Sequence, residues 1–222
     1  PLTFSVKVRT GTRLSQLRLR RGSPPSFETA MRRLHKRTPL VAGSGMEEAD
    51  ITSTGVAFTV DLHGEPDTGI IGYKAKQHAD VIDVENVGHY DIHDFWDPIR
   101  NRGQHNLILD PDDFYILASK EAVSVPPDHA AEMRPYDTYV GEFRVHYAGF
   151  FDPGFGHDAA GGGGSRAVLE VRSHDVPFAL EDGQVVGRLI YERLTAVPDQ
   201  LYGQSIGSNY QQQGLKLSKH FK

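Results

Sequence analysis

Short β-rich runs, each cut off by glycine or proline, dominate this chain and restrict what it can fold into. Twenty-three glycines and thirteen prolines punctuate its 222 residues. Between them lie Val56–Leu62, Ile70–Lys74, Val81–Val84, Leu107–Leu109, Phe114–Ala118, Thr138–Ala148, Ala167–Arg172 and Val185–Tyr191. Proline removes a ladder donor and glycine opens turn conformations, so this punctuation suits short strands joined by tight turns. No strand–helix–strand alternation is visible. The expected class is all-β, mainly β with a few short helices, closed as a distorted β-barrel or jelly roll.

The first fifty residues differ from the rest. Residues 1–37 carry ten Lys or Arg against Glu28 alone, although the whole chain has a net charge of -5. A basic arm for nucleic acid is one reading of that bias. Lys7 and Arg9 alternate with Val6 and Val8, and Arg18 and Arg20 with Leu17 and Leu19. Period two favours the other reading, a half-buried hairpin with a solvated face and no nucleic-acid partner. Residues 4–21 also lie over 176–193 when Gly11 is set against Gly183, each reading as strand, glycine turn, strand. Two unrelated hairpins share such turn chemistry, and so do two copies of one domain. On the second reading residues 1–25 are the last hairpin of an upstream copy. A short basic helix with Met31 and Leu34 on one side is predicted over 26–37, then a Gly/Ser/Thr linker, so that 26–54 joins the hairpin to a barrel over 55–222.

Composition excludes several chemistries. With no cysteine there is no disulfide framework, no thiolate zinc site and no cysteine nucleophile. No apolar run approaches the ~20 residues of a membrane span, and the opening residues lack the basic and apolar regions of a signal peptide. A cytoplasmic protein is the expectation. His89, His93 and Asp97 would share a helical face and form a metal set; a polar turn before Trp96 and Pro98 is the favoured alternative. His63-Gly64-Glu65 matches the H-x-E of zinc nucleobase deaminases, but their P-C-x-x-C partner cannot exist here. There is no G-x-x-x-x-G-K-S/T loop and no G-x-S-x-G elbow, and Gly161–Gly164 reads as a hairpin tip.

The remaining chemistry lies in Phe150-Phe151-Asp152-Pro153-Gly154-Phe155 and in Ala167-Val168-Leu169-Glu170-Val171-Arg172. On a strand, Val168, Glu170 and Arg172 share one face. Taken alone, Glu170 is most simply a solvent-facing residue paired with Arg172. The neighbouring words add to that. A D-P-G-F turn leading into a V-L-E strand, the spacing of Leu180, Gly183 and Gly187, and the tail Tyr202 … Asn209-Tyr210-Gln211-Gln212-Gln213-Gly214 together resemble the dCTP deaminase family of the dUTPase-like superfamily. The lead-in Asp110–Leu117 and Val123–Pro126 resembles it too, so the likeness covers roughly residues 105–215.

The resemblance implies a dUTPase-like β fold and hydrolysis of dCTP to dUTP and ammonia without zinc. Glu170 matches the family's general base and acid, and burial in a barrel pocket would raise its pKa toward neutrality. Ala148 matches the position whose backbone helps hold the water, and Asp152 the contact to the sugar. Val168 and Leu169 would lend backbone groups to the base, with Tyr202 beside the nucleotide and Tyr210 and Gln212 in the closing tail. Mg²⁺ would arrive with the triphosphate, the protein itself holding no metal. The family's trimers, with sites at interfaces, imply a homo-oligomer or pseudo-trimer here. There are departures. The family's R-S-S-x-x-R element appears as Arg134-Pro135-Tyr136-Asp137-Thr138-Tyr139, where only Arg134 survives; the tail lysine is Asn209, and a turn Arg is Phe150. One copy therefore looks incomplete as a catalyst. A dUTPase-like diphosphatase and a non-catalytic nucleotide-binding half stay open beside the deaminase.

Overall fold

The computed structural model describes residues 3–14, 17, 19–22, 28–42, 49–135, 143–145, 149–173, 176–203 and 214–222. Two sheets dominate. One runs in the order β12 (Phe150–Phe151), β10 (His129–Pro135), β15 (Val185–Arg193), β4 (Gly55–Thr59), β3 (Ile51–Thr52). The other runs β11 (Phe143–Val145), β13 (Ser165–Ser173), β9 (Phe114–Val123), β5 (Ile70–Ala75), β7 (Trp96–Arg100), with β2 (Val41–Ala42) also on β9. A bridge between Val60 and Ser119 joins the two sheets at a corner. Two ribbons complete the set: β1 (Val6–Lys7) runs parallel to β6 (Ile82–Asp83), and β14 (Phe178–Glu181) antiparallel to β8 (Asn106–Leu109). The helices are α1 (Glu28–Arg37) and the single turn α2 (Ile92–Phe95). The expected all-β class is the observed one. No helix among the described residues is long and apolar enough to cross a membrane.

Two apolar layers sandwich the β9–β13 sheet. Phe58, Val56 and Leu189 of the first sheet pack against Tyr115, Leu117, Leu169 and Val171 of the second, all 2% exposed or less. Each such side chain contributes about 1.5–3 kcal/mol by leaving water. The opposite face of the same strands carries Phe114, Ile116 and Val168, which join Trp96, Phe95 and Leu217 in a second cluster. A strand buried on both faces reads as a continuous apolar run, as Phe114–Ala118 does. Pro98 is tolerated because β7 is an edge strand, paired only with β5.

Several expectations give way to tertiary structure. Residues 4–21 form no hairpin among the described residues: β1 pairs with β6 from another part of the chain, and Leu17 and Leu19 stand 87% and 91% exposed. The basic side chains there meet acids instead. Arg9 grips Asp83 at 2.8 and 2.9 Å, and Arg20 reaches Glu132 and Glu192. The boundary at residue 55 also falls too late. Met31 and Leu34 of α1 are buried in the main core, and β3 belongs to the barrel. The second glycine turn, at Gly183, does separate two strands, but β14 pairs with β8 while β15 pairs with β10 and β4. Strand β10 is unforeseen; its Ala130 and Ala131 carry helix propensity, yet both are buried between flanking strands. Only residues 143–145 of the strand expected over Thr138–Ala148 lie within the described residues.

Candidate active site

Residues of β13 alternate strictly between buried and half-buried, from Ser165 to Ser173. Ala167, Leu169 and Val171 fill the main core, while Arg166, Val168, Glu170 and Arg172 face the other way. That second face opens into a cavity of about 480 Å³ lined by Arg166, Val168 and Glu170. The cavity lies against the outer face of the β9–β13 sheet and reaches the end of the other sheet, where β12 and the turn after it contribute Phe150, Phe151 and Phe155. Segments from both ends of the chain roof it, with Phe4 on one side and Leu217 and Phe221 on the other. Phe4 stands edge-on to Phe95 and Trp96 at 5.3 and 5.0 Å, and Phe221 meets Phe95 at 5.4 Å.

Glu170 lies opposite Ile116 on β9. No hydrogen bond or ion pair from a described residue holds its carboxylate. Burial pushes this carboxyl up from its ordinary value, because the charged form loses water, and this outweighs the opposing pull of the positive N-terminus. The expected pairing with Arg172 is absent: that guanidinium sits over the Phe114 ring, 5.7 Å from its centre. A desolvated carboxyl with no hydrogen-bond partner among the described residues is suited to taking and returning a proton.

Asp152 reaches the same cavity from a turn whose geometry its sequence dictates. Phe155 N–H donates to Asp152 O at 3.1 Å, with Pro153 fixing the second position and Gly154 at φ 92° the third. That is a type II turn, which demands positive φ where the glycine stands. Gly156 meets a further demand: a Cβ there would lie 2.2 Å from Val123 O. Tyr202 N–H donates to Pro153 O at 2.9 Å, and its ring lies 5.5 Å from Phe155, so Tyr202 and the Asp152 turn form one unit. Asp152, Val168, Glu170 and Tyr202 thus line one cavity. Leu169 does not: its side chain is fully buried in the main core, although its backbone runs between Val168 and Glu170. Nor does Arg134, exposed on β10 opposite Arg188. Ala148, Tyr210 and Gln212 lie outside the described residues.

His89 and His93 make no metal set. His93 sits in the one-turn α2 capped by Asp91, and no group of three or more His, Asp or Glu among the described residues converges on a metal position. Arg166 was missed by sequence reasoning, although its period-two relation to Glu170 was a usable signal. Its three nitrogens are all engaged: Nε donates to Ser119 O at 2.6 Å, Nη1 to Glu65 at 3.2 Å and Nη2 to Asp61 at 2.5 Å. Glu65 Oε1 also accepts Leu215 N–H at 3.0 Å, so the strand bearing Glu170 is tied to the tail through one carboxylate. Further along, Lys219 O and His220 O accept from Gly88 and from His89 and Tyr90.

This latch explains the glycine before it. A Cβ on Gly214 would fall 2.6 Å from Glu65 Oε1. Gly214→Ala is expected to displace that carboxylate and forfeit its bonds, at a cost of about 1 kcal/mol. Limited proteolysis should then cut the tail several-fold faster while the main unfolding transition hardly moves. A tail as protected as in the wild type would refute the latch.

Residues 27–221 match the family model described as 2'-deoxycytidine 5'-triphosphate deaminase (DCD), C-terminal domain. A protein of Halobacterium salinarum described as dCTP deaminase, dUMP-forming, is 36% identical over 111 residues, covering 48% of this chain and 52% of that protein. Its counterpart in Streptomyces coelicolor is 32% identical over 129 residues, covering 55% and 63%. The crystal structure of 2'-deoxycytidine 5'-triphosphate deaminase from Agrobacterium tumefaciens superposes with a TM-score of 0.68 at 58% identity, over 75% of this chain and 48% of that one. The chain thus spans about half to just under two thirds of the length of these relatives. The fold is the dUTPase-like β fold, and the chain belongs to the dCTP deaminase family, matching that family's C-terminal domain.

Proposed function

We propose that this chain supplies the proton-transferring carboxylate of a dCTP deaminase. The observation that carries the reading is Glu170, partly buried and without a hydrogen-bond partner among the described residues, in a cavity it shares with Asp152 and Tyr202. Glu170 takes a proton from water, the resulting hydroxide bonds to C4 of cytosine, and the proton passes to N3. A second proton transfer makes the amino group a leaving ammonia; the C4–N4 bond breaks and C4 becomes a carbonyl. Water is consumed and dUTP and ammonia are formed. Glu170 ends as it began. The β13 backbone through Val168 and Leu169 sets Glu170 on the cavity face, Asp152 orients the sugar, and Mg²⁺ enters on the triphosphate as part of the substrate.

The active assembly is proposed to be a cytoplasmic trimer or pseudo-trimer. Arg134 is exposed on β10 and does not line the cavity, and it would serve a neighbouring barrel. The Agrobacterium protein carries as much again beyond the matched part, which supports an upstream barrel providing the missing Ser and Arg element. A second reading is favoured by the names of the Halobacterium and Streptomyces relatives, in which dUTP goes on to dUMP and pyrophosphate. Assaying both products from dCTP separates them. Ammonia without pyrophosphate is the expected result; equimolar pyrophosphate would establish the dUMP-forming reaction, and neither product would leave the non-catalytic half as the answer.

A further inference from the structure

Two turns far apart in the chain share one hydrogen-bond pattern. Thr12 N–H donates to Arg9 O at 3.0 Å, and Arg9 N–H to Thr12 Oγ1 at 3.0 Å, around Gly11 at φ 89°. Gln184 N–H donates to Glu181 O at 3.1 Å, and Glu181 N–H to Gln184 Oε1 at 3.0 Å, around Gly183 at φ 76°. Positive φ at the third position suits glycine in many turns. The returning bond from a side chain at the same offset is a closer likeness.

That likeness continues past the turn. In β15, Val186, Leu189 and Tyr191 all turn into the main core. Val186 and Leu189 share that side despite their odd spacing, because the register shifts between Val185 and Gly187. On the same alignment their counterparts are Leu14, Leu17 and Leu19, spaced by the same three and then two residues. Those leucines are 73%, 87% and 91% exposed. Scattered exposed leucines are ordinary, but three at the irregular spacing of a core strand belong inside a barrel. This barrel cannot take them, since β15 already lies between β10 and β4.

Arg20 shows which way the segment faces. Its counterpart is Glu192, and it binds Glu192 itself at 2.9 Å and Glu132 at 2.6 Å. Both glutamates stand on the outer face of β10 and β15, because Ala131, Met133, Leu189 and Tyr191 fill the core from the inner one. Arg20 thus turns towards this barrel, while the exposed Leu17 and Leu19 turn away from it. Equivalent positions of two copies meet each other only close to the axis that relates them.

We propose that residues 12–21 are the closing strand of a second barrel of this fold, the upstream one inferred above, with Leu14, Leu17 and Leu19 in its core. That barrel docks outer face to outer face on β10 and β15, and Arg20, Glu132 and Glu192 lie beside the axis relating the two. Arg134, two residues from Glu132 on the same face of β10, falls in this interface. The inference deepens the two-barrel reading and is independent of the chemistry assigned to Glu170.

Hydrogen exchange on the wild-type sequence tests this at two lengths, the 222-residue chain and the polypeptide encoded by the whole reading frame. The stretch 13–21 is expected to exchange near the unstructured rate in the shorter one. In the longer one it should slow on the order of 10³-fold, as core strands do. Leu17→Asp should leave the urea midpoint of the 222-residue chain unmoved and remove that protection in the longer polypeptide. A longer polypeptide in which 13–21 stays unprotected overturns the strand assignment while sparing the second barrel. Protection of 13–21 in the 222-residue chain, or a midpoint that falls there with Leu17→Asp, shows the leucines already packed and overturns it as well. A reading frame with no upstream barrel overturns both.

Discussion

Glu170→Gln is expected to reduce ammonia release from dCTP by ~10²- to 10⁴-fold, the usual contribution of a positioned general base. The substitution is nearly isosteric, and the carboxylate has no described partner to lose, so fold and nucleotide affinity should persist. Stability gives a second readout with a definite sign. The Glu170 carboxyl is raised in the folded state by burial. Its protonated form is therefore the one the fold favours: the benefit is complete below the unfolded value of about 4.3 and is lost as pH rises through the folded value. Wild type and Gln variant should match in acid, and the variant should become the more stable as pH climbs past that window. Wild-type turnover in the variant would end the assignment. Equal stability at every pH would mean that the carboxyl is not desolvated at all.

Glu170 itself was legible only through its neighbours. Alternation along β13 fixed which residues share its face, and the structure keeps that face. Alternation did not say whether the face meets water, and the simplest answer, a solvated ion pair with Arg172, is wrong. The roof over Glu170 comes from residues near 4 and near 217, remote in sequence and recognisable only once folded. Strand β10 escaped for a related reason: Ala130 and Ala131 carry no strand signal of their own and are extended because β12 and β15 flank them. The basic alternation over 6–20 misled in the opposite direction. Basic residues that pair with acids elsewhere in the chain, as Arg9 does with Asp83 and Arg20 with Glu132 and Glu192, alternate with apolar ones just as those of a hairpin do. The D-P-G turn, by contrast, was fully readable, because proline and glycine there determine φ at two successive positions.

Arg166→Ala is expected to be the most damaging single change at the cavity edge. Its side chain is 21% exposed, and it neutralises Asp61 and Glu65, themselves 15% and 32% exposed. Removing it leaves two carboxylates facing one another and strips Ser119 O of a donor. Breaking a buried pair from one side costs about 3–5 kcal/mol; partial exposure here reduces that to roughly 2–4 kcal/mol. The urea midpoint should fall accordingly. Arg166→Lys separates charge from geometry, since an ammonium restores the positive charge but cannot fork to Ser119, Asp61 and Glu65 together. It should recover only part of the loss. The functional effect follows from the same bonds. Arg166 stands four residues before Glu170 on one face and reaches the tail through Glu65, so the Ala variant should show a raised KM and a protease-sensitive tail even where it is still folded. An unmoved midpoint with a protected tail would show that these short contacts contribute nothing net, and that Arg166 is an ordinary surface ion pair.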